Sequence, residues 1–411
     1  MKKSHIDWCP VIPDHWEEKR IKDIAFLQSG NSITAMDIAE EGKYPVYGGN
    51  GLRGYTNNYT NDGDYVLIGR QGALCGNINY AYGKFYATEH AVVVYTKNEE
   101  ITYWLGETLK AANLNRLSMT AAQPGLAVST LNIQFIPYPP RKERIRIANY
   151  LAEKCTEIDT QVSLLTSKRD AYLRLKKSII NHAVTHGLNP NVKMKDSGIE
   201  WIGEVPEHWE VKRMKELSAI SSGTTPKSGE DKYYENGIHP WLNTSDVQDC
   251  VINEAKFSIT DKALNDYSVL KYYPIGTILI AMYGGGTIGN VALMNISATI
   301  NQVCCAIVSN EKLLLPKYLF CYLKCHKKKI ISLGFGGTQV NLSQAIIAQL
   351  PVVLPPLPEQ RAIATYLDDK CAKIDTIVSN LDKQISRYGD LKRSLIDEVI
   401  TGKRAVLRTL N

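Results

Sequence analysis

Residues 355–375 read PPLPEQRAIATYLDDKCAKID, and the same segment stands 216 positions earlier, without a gap, as PPRKERIRIANYLAEKCTEID over residues 139–159. The likeness continues through Tyr172 and Tyr388, Leu175 and Leu391, Lys176 and Lys392, Ser178 and Ser394, and Thr185 and Thr401. Of the 48 pairs that align 139–186 with 355–402, 21 are identical, so the segment is duplicated and not merely similar in composition. Apolar residues in the second copy step by four and three through Leu367, Cys371, Ile374, Val378, Leu381, Ile385 and Tyr388. The first copy keeps that frame with Leu151, Cys155, Ile158, Val162, Leu165 and Tyr172, Arg169 standing where Ile385 stands. An average step of 3.5 residues is the seam of paired helices. No Pro or Gly interrupts 141–186, only Gly389 interrupts 359–401, and each run follows a Pro-Pro pair that ends any preceding strand ladder. A helix of about 40 residues spans about 60 Å. Two such stripes in one chain should pair with each other; a pseudo-two-fold arrangement makes them antiparallel and keeps the remaining globules apart.

A second echo opens each half. Trp8-x4-Pro13-x-His15-Trp16-x2-Lys19-Arg20 returns as Trp201-x4-Pro206-x-His208-Trp209-x2-Lys212-Arg213, 193 positions on. The whole chain is therefore a tandem duplication whose second copy carries 23 extra residues, the difference between the two offsets. Between the echoes, residues 20–138 and 213–354 are rich in Gly, Tyr, Asn and Thr. Short apolar runs such as Tyr65–Ile68, Ala91–Tyr95, Thr277–Ile280 and Val303–Val308 read as buried strands. Ile101–Asn115 and Pro316–Ser332 read as helices, the latter with Pro in its first turn. The expected class is α+β: two globules, 1–138 and 188–354, and two long helical regions, 139–187 and 355–411, forming an antiparallel coiled coil.

Composition narrows the function. The 411 residues are 44% hydrophobic and 22% charged, ordinary for a globular chain. No run of 18 apolar residues and no apolar signal stretch after MKKSHIDWCP is present, so a soluble, cytoplasmic protein with no membrane partner is expected. Nine cysteines, an odd number without paired spacing, fit a reducing compartment. Cys321-x3-Cys325-His326 has no second Cys/His pair nearby, so no metal is expected there. A net charge of +6 permits nucleic-acid binding without demanding it; the basic residues cluster at 141–146, 174–177 and 324–329.

Catalytic signatures are missing. Two G-x-G-x-x-G runs, Gly49–Gly54 and Gly284–Gly289, are followed by turn-like and strand-like residues, not by a helix, which argues against a dinucleotide site. No Walker-A loop, HExxH, GxSxG or zinc-deaminase pattern occurs, and no catalytic residue is assigned. The globules share blocks in one order instead. Residues 66–78 parallel 278–291, Ala87–Val92 parallels Ala298–Val303, and Met119–Gln123 parallels Phe335–Gln339. The frame is held while polar groups differ, with Arg70 set against Tyr283, Gln71 against Gly284 and His90 against Asn301. Arg, Asn and Gln make bidentate contacts to guanine or adenine edges, so one scaffold with changed side chains can read two base sequences. The candidate DNA-contacting residues are Asn50, Arg53, Arg70, Gln71, His90 and Gln123 in the first half, and Thr244, Tyr283, Asn301, Gln302 and Gln339 in the second. A duplicated chain also suits a partner that is itself two-fold, as duplex DNA is.

These residues match a family. The Pro-Pro-Leu-x-Glu-Gln-x-x-Ile-Ala-x-Tyr-Leu run from Pro355 to Leu367, the two Pro-x-His-Trp openings, the Tyr44–Tyr55 run and Gln339-x2-Leu342 resemble conserved regions of type I restriction-modification specificity subunits. The resemblance covers essentially the whole chain. It implies two target recognition domains, each reading one half of a bipartite double-stranded DNA site, with the helical regions as spacer and docking surface. It further implies two methyltransferase subunits bringing S-adenosylmethionine and two restriction subunits bringing ATP and Mg, this chain holding no cofactor itself. The first copy departs from the pattern, with Arg141-Lys142-Glu143-Arg144 where the second has Leu357-Pro358-Glu359-Gln360.

Overall fold

The computed structural model describes residues 1–72, 74–96, 102–118, 125–336 and 340–406. The two duplicated segments are single helices, Arg141–His186 and Leu357–Ile400, the second running through Gly389. Both stop at a glycine in the left-handed region, Gly187 (φ +78°) and Gly402 (φ +70°), the usual helix-ending residue. The chain forms two compact units, Met1–Ser167 with Asp382–Asn411, and Lys168–Leu381, so each helix is divided between the two units. The boundaries drawn from sequence follow the helices, whereas compactness divides each helix near its middle.

In the first unit the strands Ala25–Ser29, Ala91–Thr96, Tyr65–Gly69 and Ile78–Ala81 form an antiparallel sheet in that order. Its central strands are buried on both faces, which explains their continuous apolar runs. Val66, Ile68, Val92 and Val94 pack on a core with Trp104, Leu105 and Leu109 of the helix Thr102–Ala111. Leu67 and Val93 point the other way, to Ala81, Phe85 and Ala87. A second sheet runs Gly51–Thr56, Tyr44–Gly48, Lys84–Ala87 and Asn61–Asp62, and its 44–48 and 84–87 strands are parallel.

The second unit repeats the plan. Ser218–Ser222, Cys304–Ser309, Ile278–Ala281 and Val291–Met294 form the sheet, and Cys250–Ile252 adds a fifth strand parallel to Val291–Met294. Ile278, Ile280, Cys305 and Ile307 face the helix Pro316–Ser332, while Leu279, Ala281, Cys304 and Ala306 face the opposite core. A smaller sheet of Phe257–Ile259, His239–Leu242 and Thr299–Ile300 again contains one parallel pair.

The two echoes meet at a joint in each unit. Glu17–Arg20 pairs with Phe135–Tyr138, and Glu210–Arg213 pairs with Pro351–Leu354, bringing each opening echo to the start of its helix. His15 Nε2 lies 2.9 Å from Glu143, and His208 Nε2 lies 2.7 Å from Glu359. Trp209 Nε1 also donates to Glu359 (2.9 Å). The opposite helix end closes each joint: a Cβ on Gly402 would lie 2.4 Å from Pro13, and one on Gly187 would lie 3.0 Å from the Trp209 ring. The divergent residues Arg144 and Gln360 do the same work by different means. Arg144 Nη1 donates to Pro139 O (2.9 Å) over the Tyr138 ring, and Gln360 Nε2 donates to Pro355 O (2.8 Å).

The helices run antiparallel within each unit. In the first, Tyr388 lies beside Thr156–Gln161 while Lys392 Nζ bonds Asp159 (2.7 Å). In the second, Glu359–Ile363 lies beside His186–Asn189 while Lys176 Nζ bonds Asp375 (2.6 Å). These two ion pairs are copies of each other under the 216-residue offset. Along the seam Leu151, Cys155, Ile158, Leu367, Ile374 and Leu381 are buried, and Val162, Leu165, Tyr172, Cys371, Val378, Ile385 and Tyr388 half-buried. No helix among the described residues is long and apolar enough to cross a membrane.

Candidate nucleic-acid interface

Three connections of the first unit converge: the turn at Gly49-Asn50, the loop from Arg70 to Asn77, and the corner Thr88–His90. They touch through backbone. Arg70 N donates to His90 O (2.8 Å), Leu126 N donates to Arg70 O (2.9 Å), and Gln71 bridges to Gly125. A side chain at Gly49 would crowd this approach, since a Cβ there would lie 3.1 Å from both Gln71 O and His90 O. Asn50, Arg70, Gln71 and His90 therefore stand together. Arg53, one strand along, lays its methylenes over Gly48. Asn50 and Gln71 are exposed, Arg70 and His90 half-buried. Among the described residues Arg70 Nη1 makes one bond, a long one to Ser29 Oγ (3.4 Å), and His90 Nε2 sits 3.4 Å from the Glu89 carboxylate. Gln123 lies outside the described residues.

In the second unit the same connections carry different groups. Thr244 occupies the turn after His239–Leu242, its carbonyl accepting from Val247 N (3.3 Å) and Gln248 Nε2 (3.4 Å). Tyr283 is exposed at the start of the loop that leads to Asn290. Gln302 is exposed, its Oε1 accepting from the Thr225 hydroxyl. Asn301 is 93% buried, with Oδ1 accepting from Val303 N (3.1 Å) and Cys304 N (3.0 Å), so its oxygen is used to close a corner. Gln339 lies outside the described residues.

Backbone equivalence corrects all three of the paired positions. Gly76 N bonds Gly69 O as Gly289 N bonds Ala281 O, so the loop is one residue longer in the second unit, and Arg70 corresponds to Met282, with Gln71 opposite Tyr283. Thr88 N bonds Tyr47 O as Asn301 N bonds Leu242 O, which makes Thr88 the counterpart of Asn301 and His90 the counterpart of Val303. Thr88 Oγ1 accepts from His90 N (3.3 Å), the same corner-closing role as Asn301. The sequence blocks were two residues out of register there because Ala-Thr recurs at 87–88 and 298–299 by coincidence of a small-residue corner.

Sequence reading missed the residues that hold these loops. Asn115 Nδ2 donates to Cys75 O (2.8 Å) in the first unit, and Asn77 Nδ2 donates to Asn50 Oδ1 (3.3 Å). The available signal was the Gly-Asn pair repeated at 76–77 and 289–290. Among the described residues no group of three or more His, Cys, Asp or Glu is placed to hold a metal. His326 is wedged between the rings of Trp201 (4.8 Å) and Tyr322 (4.5 Å), burial pushing its pKa down to about 4, and the Cys325 thiol donates to Asn181 (3.2 Å). The polar loop clusters, two per chain and unlike in content, suit hydrogen bonding to a ligand displayed as two different sequences.

The family model of the type I restriction modification DNA specificity domain matches residues 13–163 and 206–387, once in each copy. The EcoprrI type I specificity subunit of Escherichia coli is 41% identical over 157 residues, which is 37% of this chain and 39% of that one. The MjaVIII specificity subunit of Methanocaldococcus jannaschii is 24% identical over 412 residues, covering 95% of this chain and 93% of its own. A solved chain described under complex assembly and conformational transition of the type I R-M system superposes with a TM-score of 0.72 at 16% identity, covering 96% of this chain and all of that one. The HsdS subunit from Thermoanaerobacter tengcongensis gives 0.51 at 16% identity over 96% of this chain and 98% of that one, and both likenesses are of fold.

Proposed function

The chain belongs to the type I restriction-modification DNA specificity family, and from that membership we propose that it reads a bipartite duplex DNA target, one half per unit, and directs partner subunits to it. The observation that carries this reading is the pair of loop clusters. Each is built on the same backbone frame, and the first presents Asn50, Arg70, Gln71 and His90 where the second presents Thr244, Tyr283 and Val303, the counterpart of Arg70 being Met282, which is buried in the core. Guanidinium and amide groups suit guanine and adenine edges, whereas the exposed Tyr283 ring suits apolar contact with a base. In this reading the chain supplies no catalytic group. Two methyltransferase subunits would carry S-adenosylmethionine, two restriction subunits would carry ATP and Mg, and the complex would work in the cytoplasm.

The test is genome-wide detection of methylated bases in a host given this chain with its methyltransferase subunit. A motif of two short specified blocks around an unspecified gap is the expected result; a single contiguous motif would overturn it. Isolated chain should bind duplex with an affinity that falls steeply as salt rises, because phosphate contacts release counterions.

A further inference from the structure

The copies differ most in one insertion. Their offset rises from 195 at Tyr47 and Leu242 to 212 at Gly69 and Ala281, so 17 residues are added between the first loop of the cluster and the central strand. The added segment includes the edge strand Cys250–Ile252. Immediately before that strand sits Asp249, a non-glycine residue held in the left-handed region at φ +56°. Aspartate adopts that conformation only with support from its surroundings.

The support is specific. Asp249 Oδ1 accepts from Val291 N (3.0 Å), Oδ2 accepts from Lys327 Nζ (2.9 Å), and its carbonyl accepts from Lys324 Nζ (2.8 Å). Lys327 Nζ also donates to Asn290 Oδ1, and Asn290 Nδ2 donates to Val247 O (2.9 Å). Asn290 is buried and ends the loop that begins at Tyr283, its backbone oxygen closing the strand at Ala281 N (2.9 Å). Gly289 beside it admits no side chain, since a Cβ would lie 2.6 Å from Ile331. Insertion, loop and helix are thus tied at one point by an ion pair and an amide. Among the described residues the first unit shows no counterpart: Asn77 there is exposed and bonds Asn50 instead.

We propose that Asp249, acting through Lys327 and Asn290, is a positioning residue for the base-reading loop 283–288 of the second unit. Discrimination at one half of the target then depends on a charge pair that does not touch DNA. The inference rests on the reading of this chain as a bipartite DNA reader. Glycines at 284, 285 and 286 contribute no side chains, and among the described residues the Thr287 hydroxyl bonds only within the loop, to Tyr283 O and Gly284 O (both 3.4 Å). Ile288 packs on the core at the same end as Asn290, so that anchored end sets where Tyr283 and Thr287 are presented. Removing the anchor lets the loop sample other paths and blurs the base preference it confers.

The experiment uses the full chain with its methyltransferase subunit, selecting bound duplexes from a randomised library. Three variants are compared: Asp249→Gly, which relaxes the backbone while deleting the carboxylate, Asp249→Asn, and Lys327→Met. Each should retain its fold by thermal melting and lose about tenfold in discrimination at positions of one half-site, the scale of one lost base contact. The other half-site should keep its full preference, and Lys327→Arg should restore most of the loss. Folded variants with wild-type discrimination in both halves would overturn the proposal. So would equal weakening of both halves, which marks a merely structural role. If the unmodified chain enriches no two-part sequence, the functional reading itself falls and takes this inference with it.

Discussion

Gln360 offers the sharpest test of how the helix joints are held. Its side chain is fully buried and makes three bonds: Leu315 N donates to Oε1 (2.8 Å), and Nε2 donates to Leu313 O and Pro355 O (both 2.8 Å). One amide thus satisfies three backbone groups where the segment entering Pro316–Ser332 meets the start of Leu357–Ile400. Gln360→Leu keeps the volume and removes every partner. Three hydrogen bonds at a net value of about 0.5–1.5 kcal/mol each give about 1.5–4.5 kcal/mol, and orphaned buried groups push toward the upper end. We expect about 3 kcal/mol, confined to the second unit. A chain of two units need not unfold in one step, so a global midpoint is the wrong readout. Hydrogen exchange of the Leu315 amide is the right one, and about 3 kcal/mol corresponds to roughly a hundredfold faster exchange. Gln360→Glu should be worse at neutral pH, because it sets a carboxylate against two carbonyl oxygens, and should recover on acidification as the carboxyl gains a proton. Leu315 exchange unchanged within about threefold in Gln360→Leu would refute the reasoning.

Two further outcomes follow from other residues. His326 stays neutral in the folded chain, its pKa pushed to about 4 by burial, while the unfolded chain takes up a proton near the ordinary value of about 6.5. Stability should therefore fall as pH drops from about 6.5 toward 4, by up to about 3 kcal/mol, and in His326→Phe the urea midpoint of the second unit's own transition should show a flatter pH dependence over that window. Arg70→Ala and Gln71→Ala should each weaken binding by about 1–3 kcal/mol and relax one position of one half-site; uniform weakening across all sequences would mark them as phosphate contacts.

The parts of this fold that were legible in the sequence are those written in period and repetition. A 4-3 apolar stripe states a helix seam locally, because every residue of the stripe contributes to the same signal. The central strands were legible for a related reason: Val92, Val93 and Val94 are buried on both faces, so the run is continuous. Polar loops have no such redundancy. Thr88 and Asn301 close the same corner with different side-chain oxygens, and nothing in residue type links a hydroxyl at one position to an amide 213 positions on. The register error around His90 came from that gap. Asp249 was invisible for the same reason, since its conformation depends on Lys327 in a helix 78 residues away.

The joints show what the two offsets mean together. An echo at 193 and an echo at 216 are separate facts in the sequence, yet His15 meets Glu143 and His208 meets Glu359, so the echoed segments are the two sides of one contact. That contact tolerates change in one partner only where the backbone geometry is preserved. Arg144 and Gln360 differ in charge, length and hydrogen-bond count, but both reach the carbonyl of the Pro before the helix, Pro139 O and Pro355 O. Glu143 and Glu359 do not differ, because a carboxylate must receive the His side chain in both. Each joint also receives the end of the helix that started in the other copy, Gly402 against Trp16 and Gly187 against Trp209. Neither half of the duplication can therefore complete its own joint. Insertions between the echoes, such as the 17 residues ahead of Ile278, remodel a reading loop while leaving the joint chemistry alone. That separation lets loop sequence vary without disturbing the joints.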